Sequence, residues 1–270
     1  MSAPSSDFLA NNNLPSRETI VAQCEKAGYD CRGIPLRDQS SGSIVAWVKY
    51  GPNVARAEAL TQDFAAKALS DNAVAGVRVP RVYDAFSVTV LGCPIGYIVM
   101  EYIDAPDCGC GDEQLVARAV QALINVQTPD TTPGPVGGGR VFHTFFTEWT
   151  SPVAYDTVEQ LQQHINGILQ YMNDTRRVDL VADAGAGLRL CPCDITPENF
   201  KACPDGTVVA LDFRATCFLP PSFFAVTIRR QMGSFAWKVA KLVKYPQSSD
   251  VEAMVAASYF LVPYGRSDIG

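Results

Sequence analysis

The pattern of the chain changes near residue 102, and that change limits the possible architectures more than any other feature. Before it, short alternating runs enclose one strong helix. "CRGIPLRD" and "SIVAWVKYG" read as strands separated by "QSSG", a hairpin signal. "RAEALTQDFAAKAL" consists of strong helix formers with apolar residues at helical spacing. "VPRVYDAFSVTVLG" and "IGYIVMEYI" are again strands, joined by "GCP". Ahead of them, "PSRETIVAQCEKAG" offers Ser16 as an N-cap and Gly28 as a stop, which predicts a short helix. The order strand, strand, helix, strand, strand predicts a small antiparallel sheet packed on one main helix.

The remainder is helical in character. "GDEQLVARAVQALINVQ" and "DTVEQLQQHINGILQYMNDT" predict helices, and "TPDTTPGPVGGGRVF" between them, rich in Pro and Gly, predicts a loop. "GLRLCPCD" and "TVVALDF" bracket "ITPENFKACPDG" and predict a small hairpin. Residues 223–260 read as mostly helical, broken at Pro246. The expected fold is therefore α+β with two lobes: a sheet-rich N-lobe over 1–101, a helix-rich C-lobe over 102–270, and a cleft between them. A chain of 270 residues that is 47% hydrophobic can bury two such cores.

Composition narrows the partners. A net charge of -6 lacks the basic footprint of a nucleic-acid binder. "MSAPSSDFLANNNLP" has no apolar segment of the signal-peptide kind. No apolar run approaches the roughly 20 residues that span a bilayer. A cytoplasmic protein without membrane or nucleic-acid partners is expected. Nine cysteines, an odd number in no secreted pattern, fit reduced thiols. Cys108/Cys110 and Cys191/Cys193 are C-x-C pairs far apart in the chain, which suits packing residues better than zinc ligands.

The chemistry concentrates in "CPCDITPENF". Asp194 and Asn199 form D-x-x-x-x-N, and Asp212 follows the strand "VVAL". Upstream, Lys49 ends an alternating strand in which Val45, Trp47 and Lys49 share a face, and Glu58 opens the next helix. Singly, each has an ordinary reading. Lys49 suits a strand end, Glu58 a surface pair with Arg56 or Lys67, Asp194 and Asn199 turn caps, and Asp212 a strand terminus. Together they make the set that phosphoryl transfer requires: a cation for phosphates, an acid to orient it, a base for a hydroxyl, and oxygen ligands for Mg²⁺. His143 and His164 have no partner spaced for a metal or a triad and read as structural.

"VAWVKYG", "VPRVYDAF", "YIVMEYI", "CPCDITPENF" and "VVALDF" stand in the order and spacing of the aminoglycoside phosphotransferase/choline kinase-like group, and residues 44–224 resemble it. "KYGPNVARAEA" and "GPVGGG" look most like its fungal members. The resemblance implies a protein-kinase-like fold and a small-molecule kinase using ATP and Mg²⁺. It implies that Lys49 contacts the α- and β-phosphates and that Glu58 holds Lys49. Glu101, Tyr102 and Ile103 would form a hinge for adenine, Asp194 would be the base, and Asn199 and Asp212 the metal ligands. The acceptor would be the hydroxyl of a small molecule lying between the Asp194 loop and the C-lobe helices. Asp104, Asp107, Asp112 and Glu113 would suit a cationic acceptor, or equally a solvated surface.

The chain departs from the family pattern at three places. Pro192 stands where the family has a histidine, "DFR" puts Arg214 at the third place of that motif, and no G-x-G-x-x-G precedes Lys49. "QSSGS" is the candidate to cover phosphates. The alternative expectation is a kinase-like pseudoenzyme that binds a ligand or partner without transferring phosphate. A protein kinase is disfavoured, because no "APE" signature follows Asp212.

Overall fold

A computed structural model describes residues 8–38, 41–230 and 233–269. Its first part runs α1 (Arg17–Ala27), β1 (Ile34–Arg37), β2 (Ile44–Gly51), α2 (Arg56–Asp71), β3 (Val77–Arg78), β4 (Val82–Val90) and β5 (Cys93–Met100). Ser16 caps α1 by accepting from the Thr19 N–H at 3.3 Å, and Gly28, at φ 83°, ends it. Four strands form an antiparallel sheet in the order β1-β2-β5-β4.

The alternation of each strand divides its side chains between two helices. Ala46, Val48, Tyr50, Tyr97 and Val99 pack with Ile20 and Cys24 of α1. Ile98 and Met100 pack with Ala59 of α2 on the other face. The sheet is thus covered on both sides, where one main helix was expected. Gly96 permits close packing at its far end, since a Cβ there would lie 1.9 Å from the Val54 carbonyl oxygen. That contact holds the loop leading into α2.

The second part comprises α3 (Glu113–Ile124), β6 (Arg140–Phe142), β7 (Thr150–Ala154), α4 (Val158–Tyr171), α5 (Leu180–Asp183), β8 (Arg189–Pro192), β9 (Phe200–Ala202), β10 (Val208–Ala210), β11 (Thr216–Leu219), α6 (Ser222–Arg230), α7 (Ser234–Leu242) and α8 (Val251–Leu261). One large core joins these elements. In α4, Leu161, Ile165, Ile168 and Leu169 are fully buried at helical spacing, each worth about 1.5–3 kcal/mol of apolar burial. Ala65 and Leu69 of α2 enter the same core. Helix α2 therefore ties the sheet to the helical part, and the whole is a two-lobed α+β fold. No helix among the described residues is long and apolar enough to cross a membrane.

The predicted hairpin between "GLRLCPCD" and "TVVALDF" does not form. β8 pairs with β11, while β10 pairs antiparallel with β9 and parallel with β3. The turn at Cys203 to Gly206 closes the tighter β9–β10 hairpin, with the Gly206 N–H donating to the Cys203 carbonyl. The chain then reverses at Asp212, which brings β11 back beside β8. Strand β6 likewise emerges from a stretch predicted as loop, and the closing helices break at Gly233 and Val243 before Pro246 is reached.

Candidate active site

The site gathers residues from both ends of the fold onto one lysine. Lys49 stands on β2 opposite Ile98 of β5. Its Nζ donates to Glu58 Oε1 at 2.6 Å and to Asp212 Oδ1 at 2.8 Å. Glu58 lies in the first turn of α2 and is buried, with Oε2 given no hydrogen-bond partner. Burial disfavours the charge of Lys49, but Glu58 and Asp212 outweigh it and hold its pKa above the ordinary lysine value. Burial also pushes the Glu58 carboxyl up, against the pull of Lys49.

Asp212 occupies the left-handed region at φ 55° and ψ 79°. A side chain other than glycine, asparagine or aspartate would be strained there. Its Oδ1 also accepts from the Arg214 N–H at 3.4 Å. Burial works to raise this carboxyl, yet Lys49 and the Arg214 N–H hold it below the usual carboxylate range. Arg214 itself lies over the Phe142 ring, 5.7 Å from its centroid.

The Asp194 loop is fastened at both ends. The Cys193 N–H donates to the Ala215 carbonyl at 3.0 Å, the Asn199 side chain donates to the Asp194 carbonyl at 3.0 Å, and the Leu211 N–H donates to the Asn199 carbonyl at 2.8 Å. Asp194 and Asn199 are thereby fixed next to the strand that delivers Asp212. Burial pushes the Asp194 carboxyl up; the Asn199 side chain and Arg32 oppose the rise, while Asp212 and Glu198 add to it. Cys191 and Cys193 are buried in the adjoining β8 segment, and burial pushes both thiols up. Asp194, Asp212 and Asn199 supply hard oxygen atoms, and the two carboxylates repel. That donor set fits Mg²⁺, which takes one or two protein carboxylates and completes its shell from phosphates and water. Among the described residues, no group of three or more His, Cys, Asp or Glu side chains is assembled for a metal without such help.

Glu101, Tyr102 and Ile103 leave the end of β5. The Glu101 N–H donates to the Arg81 carbonyl at 2.9 Å, and its side chain accepts from Arg78 at 2.7 Å. Tyr102 stacks on Trp47 with centroids 6.4 Å apart, and Ile103 is buried. The Glu101 N–H is thus already used within the fold.

The remaining sequence candidates fall elsewhere. Of "QSSGS", Gln39 and Ser40 lie outside the described residues. Its flanks, Arg37 and Ile44, sit at the end of the sheet where Trp47 faces Met100, beside residues 101–103. The segment leading into β1, residues 28–33, lies instead at the Lys49 end, since Ile34 faces Val48. The acidic residues after Ile103 are mostly engaged: Asp107 pairs with Lys201 at 2.9 Å, Glu113 pairs with Lys238 at 2.8 Å, and Asp112 accepts from the Gly109 N–H at 2.8 Å. Beside Asp194, a cavity of about 450 Å³ is lined by Thr144, Trp149, Glu198, Arg230 and Phe235. Nothing in the spacing of those residues marked them, since they come from four separate elements or loops.

No protein-family model matches the chain, and no curated protein matches it in sequence. Solved structures similar to it include an amicoumacin kinase in complex with AMP-PNP, Ca²⁺ and Ami (14% identity, 93% of this chain and 85% of that one, TM-score 0.48). An aminoglycoside phosphotransferase from Alicyclobacillus acidocaldarius is similar at 14% identity over 97% of this chain and 81% of that one, with a TM-score of 0.46. A choline kinase from Streptococcus pneumoniae is similar at 13% identity over 94% and 93% of the two chains, with a TM-score of 0.42.

Proposed function

We propose that this chain is an ATP- and Mg²⁺-dependent phosphotransferase acting on a hydroxyl of a small molecule in the cytoplasm, with the nucleotide between lobes spanning 1–101 and 102–270. The observation that carries this reading is Lys49 held between Glu58 and Asp212, three side chains from a strand, a helix and a distant turn.

In this reading Lys49 binds the α- and β-phosphates, and Glu58 keeps its ammonium aimed. Glu101, Tyr102 and Ile103 hold the adenine against the floor of Trp47 and Tyr102, through backbone groups other than the Glu101 N–H. Asn199 and Asp212 hold Mg²⁺, which when bound neutralises charge on the phosphates. Asp194 orients the acceptor hydroxyl and takes its proton; its raised pKa brings its basicity nearer to that task. The acceptor occupies the cavity beside Asp194, where carboxylates, an arginine and aromatic walls supply polar and apolar contacts. Catalysis is then mainly positioning and charge stabilisation.

The test is calorimetric titration of the protein with Mg·ATP, followed by a coupled assay of ADP release over hydroxylated and amine-bearing metabolites. Saturable binding with acceptor-dependent ADP release is expected. Binding without release for any acceptor would favour the pseudoenzyme, and no binding would remove the phosphotransferase reading.

A further inference from the structure

Residues 28–33 are fastened over the Lys49 end of the sheet. The Tyr50 hydroxyl donates to the Gly28 carbonyl at 2.6 Å, and Cys31 Sγ lies 2.8 Å from the same hydroxyl. Gly33 rests directly on β2, where a Cβ would meet the Val48 carbonyl oxygen at 2.4 Å and the Trp47 indole nitrogen at 2.6 Å. Only glycine allows the backbone so close. Between these two anchors, Arg32 is exposed and makes no hydrogen bond or ion pair among the described residues. Its positive charge opposes the rise that burial imposes on the Asp194 carboxyl.

The charge balance of the site gives this arginine a purpose. The one ammonium, Lys49, is already shared between the carboxylates of Glu58 and Asp212, and Arg214, the other cation acting on them, lies over the Phe142 ring. A polyanionic donor needs further positive charge where its terminal phosphate meets the acceptor. The stretch before β1 has no run of glycines whose N–H groups would cradle phosphates. A guanidinium supplies the missing donors in a planar fork that matches two phosphate oxygens.

We propose that Arg32, displayed on the anchored segment 28–33, binds the terminal phosphate of the nucleotide and takes the place of a glycine-rich phosphate loop. This rests on the phosphotransferase reading above. The segment is held by Tyr50 and Gly33, and Arg32 is the one cation on it.

The experiment is isothermal titration of wild type, Arg32→Ala and Arg32→Lys with Mg·ATP, Mg·ADP and adenosine at fixed ionic strength. Loss of a charge-assisted contact to phosphate predicts that Arg32→Ala binds Mg·ATP about 10- to 100-fold more weakly. Mg·ADP should weaken by about threefold or less and adenosine should be unaffected, because the contact is to the terminal phosphate. Arg32→Lys should recover part of the loss, as a point charge without the fork. An Arg32→Ala protein whose Mg·ATP affinity stays within about twofold of wild type overturns the proposal, as does an equal loss for adenosine. Wild type that binds neither nucleotide overturns the phosphotransferase reading itself, a result distinguishable from the other two.

Discussion

Lys49 and Asp212 are 163 positions apart in the chain, yet Nζ and Oδ1 lie 2.8 Å apart, and the same ammonium reaches Glu58 at 2.6 Å. The Lys49 side chain is 19% exposed and that of Glu58 only 4%, so the inner pair is largely dry and the outer one is open to water. Removing either member has different consequences. Without Lys49, Glu58 would be left with both oxygens unpartnered, because Oε2 already has no donor.

Lys49→Met should therefore lower unfolding free energy by about 2–4 kcal/mol, the cost of stranding a buried carboxylate. Lys49→Met combined with Glu58→Met should recover most of that loss, because the driest carboxylate, that of Glu58, is removed with its partner and Asp212 remains open to water. Urea unfolding of the two single variants and the double variant measures the coupling. Additive losses would show that the pair is not coupled in this way.

Asp194 and Asp212 should separate chemistry from binding. Asp194→Asn keeps the side-chain shape but cannot take a proton, so turnover should fall by about 10²–10⁴-fold with Mg·ATP affinity nearly unchanged. Asp212→Asn removes a carboxylate from the proposed Mg²⁺ donor set, so nucleotide affinity should fall as well. The acid side of the pH–rate profile should follow Asp194. A base works only when unprotonated, and burial raises this carboxyl, so activity should fall away at a pH above the ordinary aspartate value as pH decreases. An acid limb at or below that ordinary value would assign the proton to another group.

The sheet and α2 were legible because their signals are long. Eight residues of alternation in β2 and sixteen of helical spacing in α2 are enough to specify a face, and the faces bring Lys49 to Glu58. Strands β6, β8, β9, β10 and β11 have three or four residues each, too few to carry a period. Their pairing is set by the left-handed turn at Asp212 and by the hairpin closed at Gly206, which tertiary packing decides. The D-x-x-x-x-N spacing was readable because Asn199 reaches back to the Asp194 carbonyl, a contact within one loop. Arg32, Trp149 and Arg230 were not readable. A lone side chain has no pattern until the fold places it, as it places Trp149 and Arg230 in one cavity with Asp194.

The turn between β4 and β5 offers a test away from the site. Leu91 and Gly92 have φ of 49° and 82°, the paired positive values of a two-residue type I′ hairpin. Leu91 is wholly exposed, so nothing apolar compensates its backbone. For a leucine the left-handed conformation costs roughly 1–2 kcal/mol, whereas asparagine adopts it more readily. Leu91→Asn should stabilise the protein by about 0.5–1 kcal/mol, read as a higher urea midpoint with an unchanged slope. A lower midpoint would mean that the turn is held by something other than its own backbone preference.

His143 predicts how stability varies with pH. Its ring is fully buried against Phe223 and Thr227 of α6. Nδ1 accepts from the Phe145 N–H at 2.9 Å, which leaves the proton on Nε2, 3.1 Å from the Phe223 carbonyl and 2.8 Å from Thr227 Oγ1. Both nitrogens are thus satisfied by a neutral ring, and burial pushes the pKa down to about 3. An unfolded histidine titrates near 6.5, so between these two values the unfolded chain binds a proton that the folded chain refuses. The stabilisation is complete above the unfolded value and is lost as pH falls, by up to about 1.4 kcal/mol per pH unit for this single proton. His143→Gln retains an amide donor for the Phe223 carbonyl but cannot titrate. Its unfolding free energy should decline by about one proton less than wild type across the window from about pH 6.5 to 5, where ordinary carboxylates remain ionised. His164, whose pKa burial also lowers, is present in both proteins and cancels from the comparison. Equal slopes for wild type and variant would show that His143 accepts its proton in the folded state, and the neutral-ring assignment would fall.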